Sequence, residues 1–207
     1  KKYKNKKVIF LARVPMDVIV SVYFQQSYRV TSADAGWYAP NLKQRIKPYN
    51  GTLRQYIHER IGGFETLLEF YNIWARNRHI PKDFFLIRYE DIHKYPQKAL
   101  RRTLNFLGLG STSDEVIGEA VRFASFENMR RMEESGEYSH AGIYLKFSDR
   151  NDKNSYKTRR GKVGGFVDYL AAADIEYLNK RINESLSDFY GYKRGSSEFR
   201  VGKLSRF

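Results

Sequence analysis

The chain is 207 residues long, with 37 Lys and Arg against 23 Asp and Glu and a net charge of +14. That length suits one ordinary domain with a sizeable core, and 42% hydrophobic with 15% aromatic residues is too rich for a disordered chain. The lack of Cys excludes a disulfide scaffold, a thiolate metal site and a cysteine nucleophile, and the charge calls for a polyanionic partner: nucleic acid, a nucleotide, an acidic glycan or an anionic membrane face.

The first seven residues, KKYKNKK, form a basic, solvated edge ahead of the apolar run Val8 to Ala12 (VIFLA). Such a run predicts a strand covered on both faces, as in parallel sheets. Arg13-Val14-Pro15-Met16-Asp17 puts Pro at a first helical position and an acid in the first turn. A helix is expected from there to about Tyr28, with Val18, Val22 and Phe24 among its buried side chains. Residues 29–50 lack a period and hold Gly36, Trp37, Pro40 and Pro48, which reads as a long surface loop. Gly51-Thr52 opens a short helix, and Gly62-Gly63 separates it from a longer one. There Phe64, Leu67, Leu68, Tyr71 and Trp74 recur at core-facing helical spacing.

Phe84 to Ile87 is a second apolar run and ends in Arg88-Tyr89-Glu90-Asp91. After Pro96 a helix carries Leu100, Leu104 and Leu107, keeps Arg101 and Arg102 on its solvent side, and stops at Gly108. Two strand-then-helix units predict an α/β fold with a parallel sheet. Further helices are expected over 114–123, capped by Ser113, and after Ser125. Residues 148–165 are polar, basic and glycine-containing, hence a mobile loop. The last long helix holds Ile175, Leu178, Ile182 and Leu186, with Phe189 following and Gly191 as a stop; a basic tail follows from 193 to 207. No apolar run approaches the roughly 18–20 residues of a membrane span, and the lack of Cys leans toward a cytoplasmic protein.

In open α/β sheets, ligands bind beyond the carboxyl ends of the strands, and two clusters fall there. Arg13 ends the first strand at a helix N-terminus, with Ser21 two turns into that helix, a placement that suits an anion. The same residues equally suit a salt-bridged strand-end Arg beside a small buried Ser. Arg159-Arg160-Gly161-Lys162-Val163-Gly164-Gly165 combines cations with glycines, as phosphate sites do, although such loops are often merely solvated. Neither GxxxxGK[ST] nor a strand-following GxGxxG nor GxSxG occurs, which disfavours a Walker, Rossmann or hydrolase site. His58, His79, His93 and His140 lack metal-ligand spacing and read as surface or locally satisfied residues.

Taken together, four segments resemble the PAPS-dependent sulfotransferases, in the family's own order. VIFLARVPMDVIVSVYF resembles the strand–Arg-x-Pro-x-Asp–helix–Ser segment, and FFLIRYEDIHKYPQKALRRTLNFLGL the "YED" strand and helix. ASFENM is similar to the adenine-contacting segment and RRGKVGGF to the RKGxxGDW loop. The resemblance implies a three-layer parallel sheet with helices on both faces, related to the P-loop kinases. It implies a single sulfotransferase-like domain over 1–207. The co-substrate would be 3′-phosphoadenylyl sulfate (PAPS), with no metal, and the acceptor an unidentified hydroxyl or amine compound such as a glycan or lipid-like molecule, for which the surplus positive charge suits an acidic one. Arg13 and Ser21 would hold the 3′-phosphate, and Tyr89 would lie at or near the adenine. Phe126 would supply a stacking face beside Ser125 and Met129, while Arg159, Arg160 and Gly161 would close over the phosphate.

Departures are present. Ala124 stands where Thr is common, Arg160 where Lys is usual, and Gly165-Phe166-Val167 where the animal cytosolic branch has Asp-Trp-Lys, so the bacterial-type members look closer. The family's phosphosulfate loop and catalytic base lie upstream of the segment matching Arg13. The chain is therefore expected to be the C-terminal part of the family domain, with its first strand missing. Trp37, Tyr38 and His140 are candidates for meeting the acceptor. Three other readings stay open: a non-catalytic 3′-phosphoadenosine-binding relative, a P-loop-like nucleotide kinase, and a basic nucleic-acid-binding domain. The last is disfavoured because the aromatics lie on apolar stripes.

Overall fold

The computed structural model of the chain describes residues 2–29, 48–136 and 149–193. Strands β1 (Lys7–Ala12) and β2 (Asp83–Arg88) pair in parallel, with Lys7 opposite Asp83 and Ala12 opposite Arg88. Because side chains alternate across a strand, Phe10 and Ala12 share one face with Phe84 and Leu86. Helices α1 (Pro15–Tyr28), α3 (Phe64–Asn77) and α8 (Ala172–Ser185) supply the core on that side. The Phe10 ring lies 5.7 Å from Tyr71 and Trp74 and 5.6 Å from Tyr190. On the other face, Phe85 stacks on Phe106 of α5 (Pro96–Leu107) at 5.3 Å. Helices thus cover both sides of a parallel sheet, in the layering expected from the sequence.

The remaining helices are α2 (Leu53–Ile57), α4 (Tyr89–Lys94), α6 (Asp114–Phe123) and α7 (Phe126–Ser135). Their ends follow local chemistry. Thr52 and Gln55 form a capping box on α2, Ser113 caps α6, and Gly108 ends α5 at a φ of 85°. Arg101 is not a solvent-side bystander: it donates to the Gly110 and Thr112 carbonyls and pairs with Asp114, tying α5 to the start of α6.

Three expectations need correction. Among the described residues β1 is covered on one face, leaving Ile9 38% and Leu11 55% exposed, because α5 meets the other face at Phe85 of β2 and touches β1 at Lys7. In α1 the buried side chains are Pro15, Met16, Asp17, Ile19, Val20 and Phe24, whereas Val18 and Val22 are half-buried on a helix packed on more than one side. The described part of the expected mobile loop, residues 149–165, carries a 3-10 turn at Lys153–Ser155 and is bonded to α1 and α7 through buried carboxylates described below.

Candidate functional site

Arg13 sits where β1 gives way to α1, and polar groups from distant elements hold its backbone. The Tyr71 hydroxyl accepts from the Arg13 N–H at 3.2 Å and donates to the Arg13 carbonyl at 2.8 Å. Glu90 accepts from the Val14 N–H at 2.9 Å and from the Tyr192 hydroxyl at 2.8 Å. Burial is the main reason the Tyr71 phenol is pushed up to about 12, and burial followed by the Glu90 charge pushes Tyr192 up as well. The Arg13 guanidinium then lies 4.3 Å from the Tyr89 ring centroid, while Nη2 donates to the Lys162 carbonyl at 2.9 Å. Its Nε is buried and has no hydrogen-bond partner.

The cationic segment reaches the same place from the other end of the chain. Arg159 lies 3.8 Å above the Phe24 ring of α1 and donates to the Tyr169 hydroxyl. Arg160 donates to that hydroxyl at 3.3 Å and pairs with Asp168 at 3.1 Å. Burial first, then the positive charges of Arg160 and Arg13, hold Arg159 below the ordinary guanidinium range against the pull of Tyr169. Gly161 has a φ of 58°, and a Cβ there would fall 2.4 Å from Phe126 Cδ2, so only glycine seats the loop against that ring. His93 Nε2 donates to the Gly161 carbonyl at 2.9 Å, which satisfies this histidine across 68 residues of chain.

The two stretches enclose one cleft of about 460 Å³ along α1. Eight of the nine residues singled out in the sequence line it: Arg13, Ser21, Tyr89, Phe126, Met129, Arg159, Arg160 and Gly161. Ser125 does not; its hydroxyl accepts from the Asn128 N–H and caps α7, which fixes where Phe126 begins the helix. Ser21 is exposed, not buried. Trp37, Tyr38 and His140 lie outside the described residues. Lys162, named in the sequence within the cationic cluster, lines the cleft too, as do Asp17, to which sequence reasoning gave no role in the site, and Tyr169, which it missed. Asp17 was visible as a helix-start acid and as the Asp of the Arg-x-Pro-x-Asp segment, and Tyr169 carried no signal. Among the described residues, no group of His, Cys, Asp and Glu is arranged to hold a metal, and no helix is long and apolar enough to cross a membrane.

A family model described as sulfotransferase domain matches residues 2–190. The chain belongs to the sulfotransferase family. Among its relatives, cytosolic sulfotransferase 15 of Arabidopsis thaliana is 25% identical over 187 residues, covering 87% of this chain and 46% of the relative. Flavonol 3-sulfotransferase of Flaveria bidentis is 24% identical, covering 88% and 55%. The chain thus spans about half the length of these sulfotransferases. A retinol dehydratase solved with retinol and PAP shares 25% identity at a TM-score of 0.58, covering 88% of this chain and 48% of that one. A mouse sulfotransferase solved with PAP, 20% identical, has a TM-score of 0.62 over 87% of this chain and 58% of that one.

Proposed function

We propose that the cleft holds the 3′-phosphoadenosine end of PAPS in a sulfotransferase that passes a sulfuryl group to a hydroxyl or amine acceptor. The convergence of Arg13 and Ser21 with Arg159, Arg160 and Gly161 on one cleft carries this reading. The residues fit a doubly charged phosphate. A buried Arg13 Nε lacks a hydrogen-bond partner, and three guanidinium groups crowd together, two of them lowering the basicity of the third. They fit a base as well, since Phe126 is backed by Gly161 and the Tyr89 ring lies near Arg13. PAP in the retinol dehydratase complex supports the same ligand class.

In the reaction, the acceptor oxygen or nitrogen bonds to sulfur as the sulfur–oxygen bond to the 5′-phosphate breaks, and the acceptor proton passes to a base. This chain's residues contribute grip and orientation. Energy gained at the 3′-phosphate is spent aligning the reacting groups, which raises rate where the grip persists in the transition state. Titration with adenosine 3′,5′-bisphosphate and with 5′-AMP tests the assignment. The bisphosphate should bind at least about tenfold more tightly, a gap that Arg13→Ala removes. Equal affinity for the two nucleotides contradicts it.

A further inference from the structure

The cations of residues 159–162 owe their position to carboxylates. Asp17, 3% exposed on the first turn of α1, accepts from the Gly164 N–H at 2.8 Å and from the Phe166 N–H at 3.0 Å. At the other end of the same segment, the fully buried Glu133 of α7 accepts from the Lys157 N–H at 2.7 Å and from the Thr158 N–H at 2.9 Å. Between these anchors the segment's carbonyls are taken by Arg130 at Thr158, His93 at Gly161 and Arg13 at Lys162. Every one of these bonds reaches outside the segment, so Arg13, α1, α4 and α7 hold the shape that its left-handed Gly161 and Gly164 permit.

Asp17 is a poor choice on charge alone. Its Oδ2 lies 3.4 Å from Arg13 Nη2 and it lines the cleft assigned above to a dianion, which it repels. Its two backbone bonds supply the compensating role. We infer that Asp17 is a positioning residue that latches the 157–166 segment onto α1, with Glu133 as the second anchor. Arg159, Arg160 and Gly161 then face Arg13 and Ser21 before any nucleotide arrives. The inference rests on the nucleotide reading of the cleft. A latched segment lowers the ordering cost of binding, whereas a segment docked only part of the time raises the apparent Kd by the inverse of the docked fraction.

The nearly isosteric Asp17→Asn separates the latch from a simple charge effect by sign. Removing a negative charge from an anion site should tighten binding of adenosine 3′,5′-bisphosphate if charge is all that matters. The latch demands the reverse, because a carboxamide accepts one N–H and turns its own NH₂ toward the other. The bisphosphate Kd should rise about tenfold or more, and the 5′-AMP Kd by less than about threefold. Trypsin cleavage after Arg159, Arg160 and Lys162 should accelerate in the nucleotide-free protein. Glu133→Gln, at the far anchor, should move both readouts in the same direction. Unchanged or tighter bisphosphate binding with unchanged cleavage in Asp17→Asn overturns the latch. If the unsubstituted protein itself fails to prefer the bisphosphate, the nucleotide reading falls, and the latch then stands or falls on the cleavage rates alone.

Discussion

Arg13 is fixed from its backbone outward: Tyr71 grips both its N–H and its carbonyl, and Glu90 takes the next N–H. Removing Glu90 therefore orphans the half-buried Val14 N–H and takes a carboxylate acceptor from the Tyr192 hydroxyl. Glu90→Ala should cost about 2–4 kcal/mol in urea unfolding, whereas Glu90→Gln, which keeps one acceptor, should cost less. The two left-handed glycines of the cationic segment make a matched pair. An added Cβ at Gly161 meets Phe126, while at Gly164 it meets nothing within 4 Å. Gly164→Ala should show only the backbone cost of about 1–2 kcal/mol, and Gly161→Ala should lose bisphosphate affinity as well. Equal binding losses in the two variants would show that the Gly161–Phe126 contact does not shape the site.

At the scale of elements, what the sequence discloses depends on how far away the cause lies. Pro15 and Asp17 mark the start of α1, Ser113 and Ser125 cap α6 and α7, and Gly108 stops α5, since each signal acts within a turn. The one-sided cover of β1 was not legible, because an apolar run reads alike whether one face or two are packed. Phe10→Ala should cost about 3–5 kcal/mol, against a change within about 0.5 kcal/mol for Leu11→Ser on the open face. A large loss at Leu11 would show that something covers that face. The anchored segment at 149–166 escaped for a different reason. Its partners, Asp17 and Glu133, stand 147 and 24 residues away from Gly164 and Lys157, and a polar basic stretch carries no mark of such anchors. Within the site, Arg13, Tyr89, Phe126, Arg159 and Arg160 were readable through four motifs, whereas Arg29, Tyr156, Lys157 and Tyr169, the last of which holds Arg159 and Arg160, lie outside them.

Across the whole molecule, tyrosines buried for packing set an alkaline limit. Burial pushes Tyr56 and Tyr71 up to about 12 and raises Tyr190 and Tyr192 further. A phenol whose pKa is raised by folding stabilises the fold fully below its ordinary value of 10 and loses that contribution as pH climbs through the raised value. Stability should therefore fall between pH 10 and about 12, steepening as more phenols become linked, at roughly 1.4 kcal/mol per pH unit for each. Denaturant midpoints across that range check the sign; a flat profile would mean these hydroxyls ionise while folded. The net charge of +14 gives no clue to this limit and is not, by itself, the site. What selects a ligand is the meeting of two stretches about 146 residues apart, Arg13 and Arg159, on one cleft. The affinity gap between adenosine 3′,5′-bisphosphate and 5′-AMP, measured in Arg13→Ala, in Arg159→Ala and in the unsubstituted protein, tests that meeting directly. Both stretches serve one phosphate if either substitution alone collapses most of the gap; a gap that survives loss of either arginine contradicts the account.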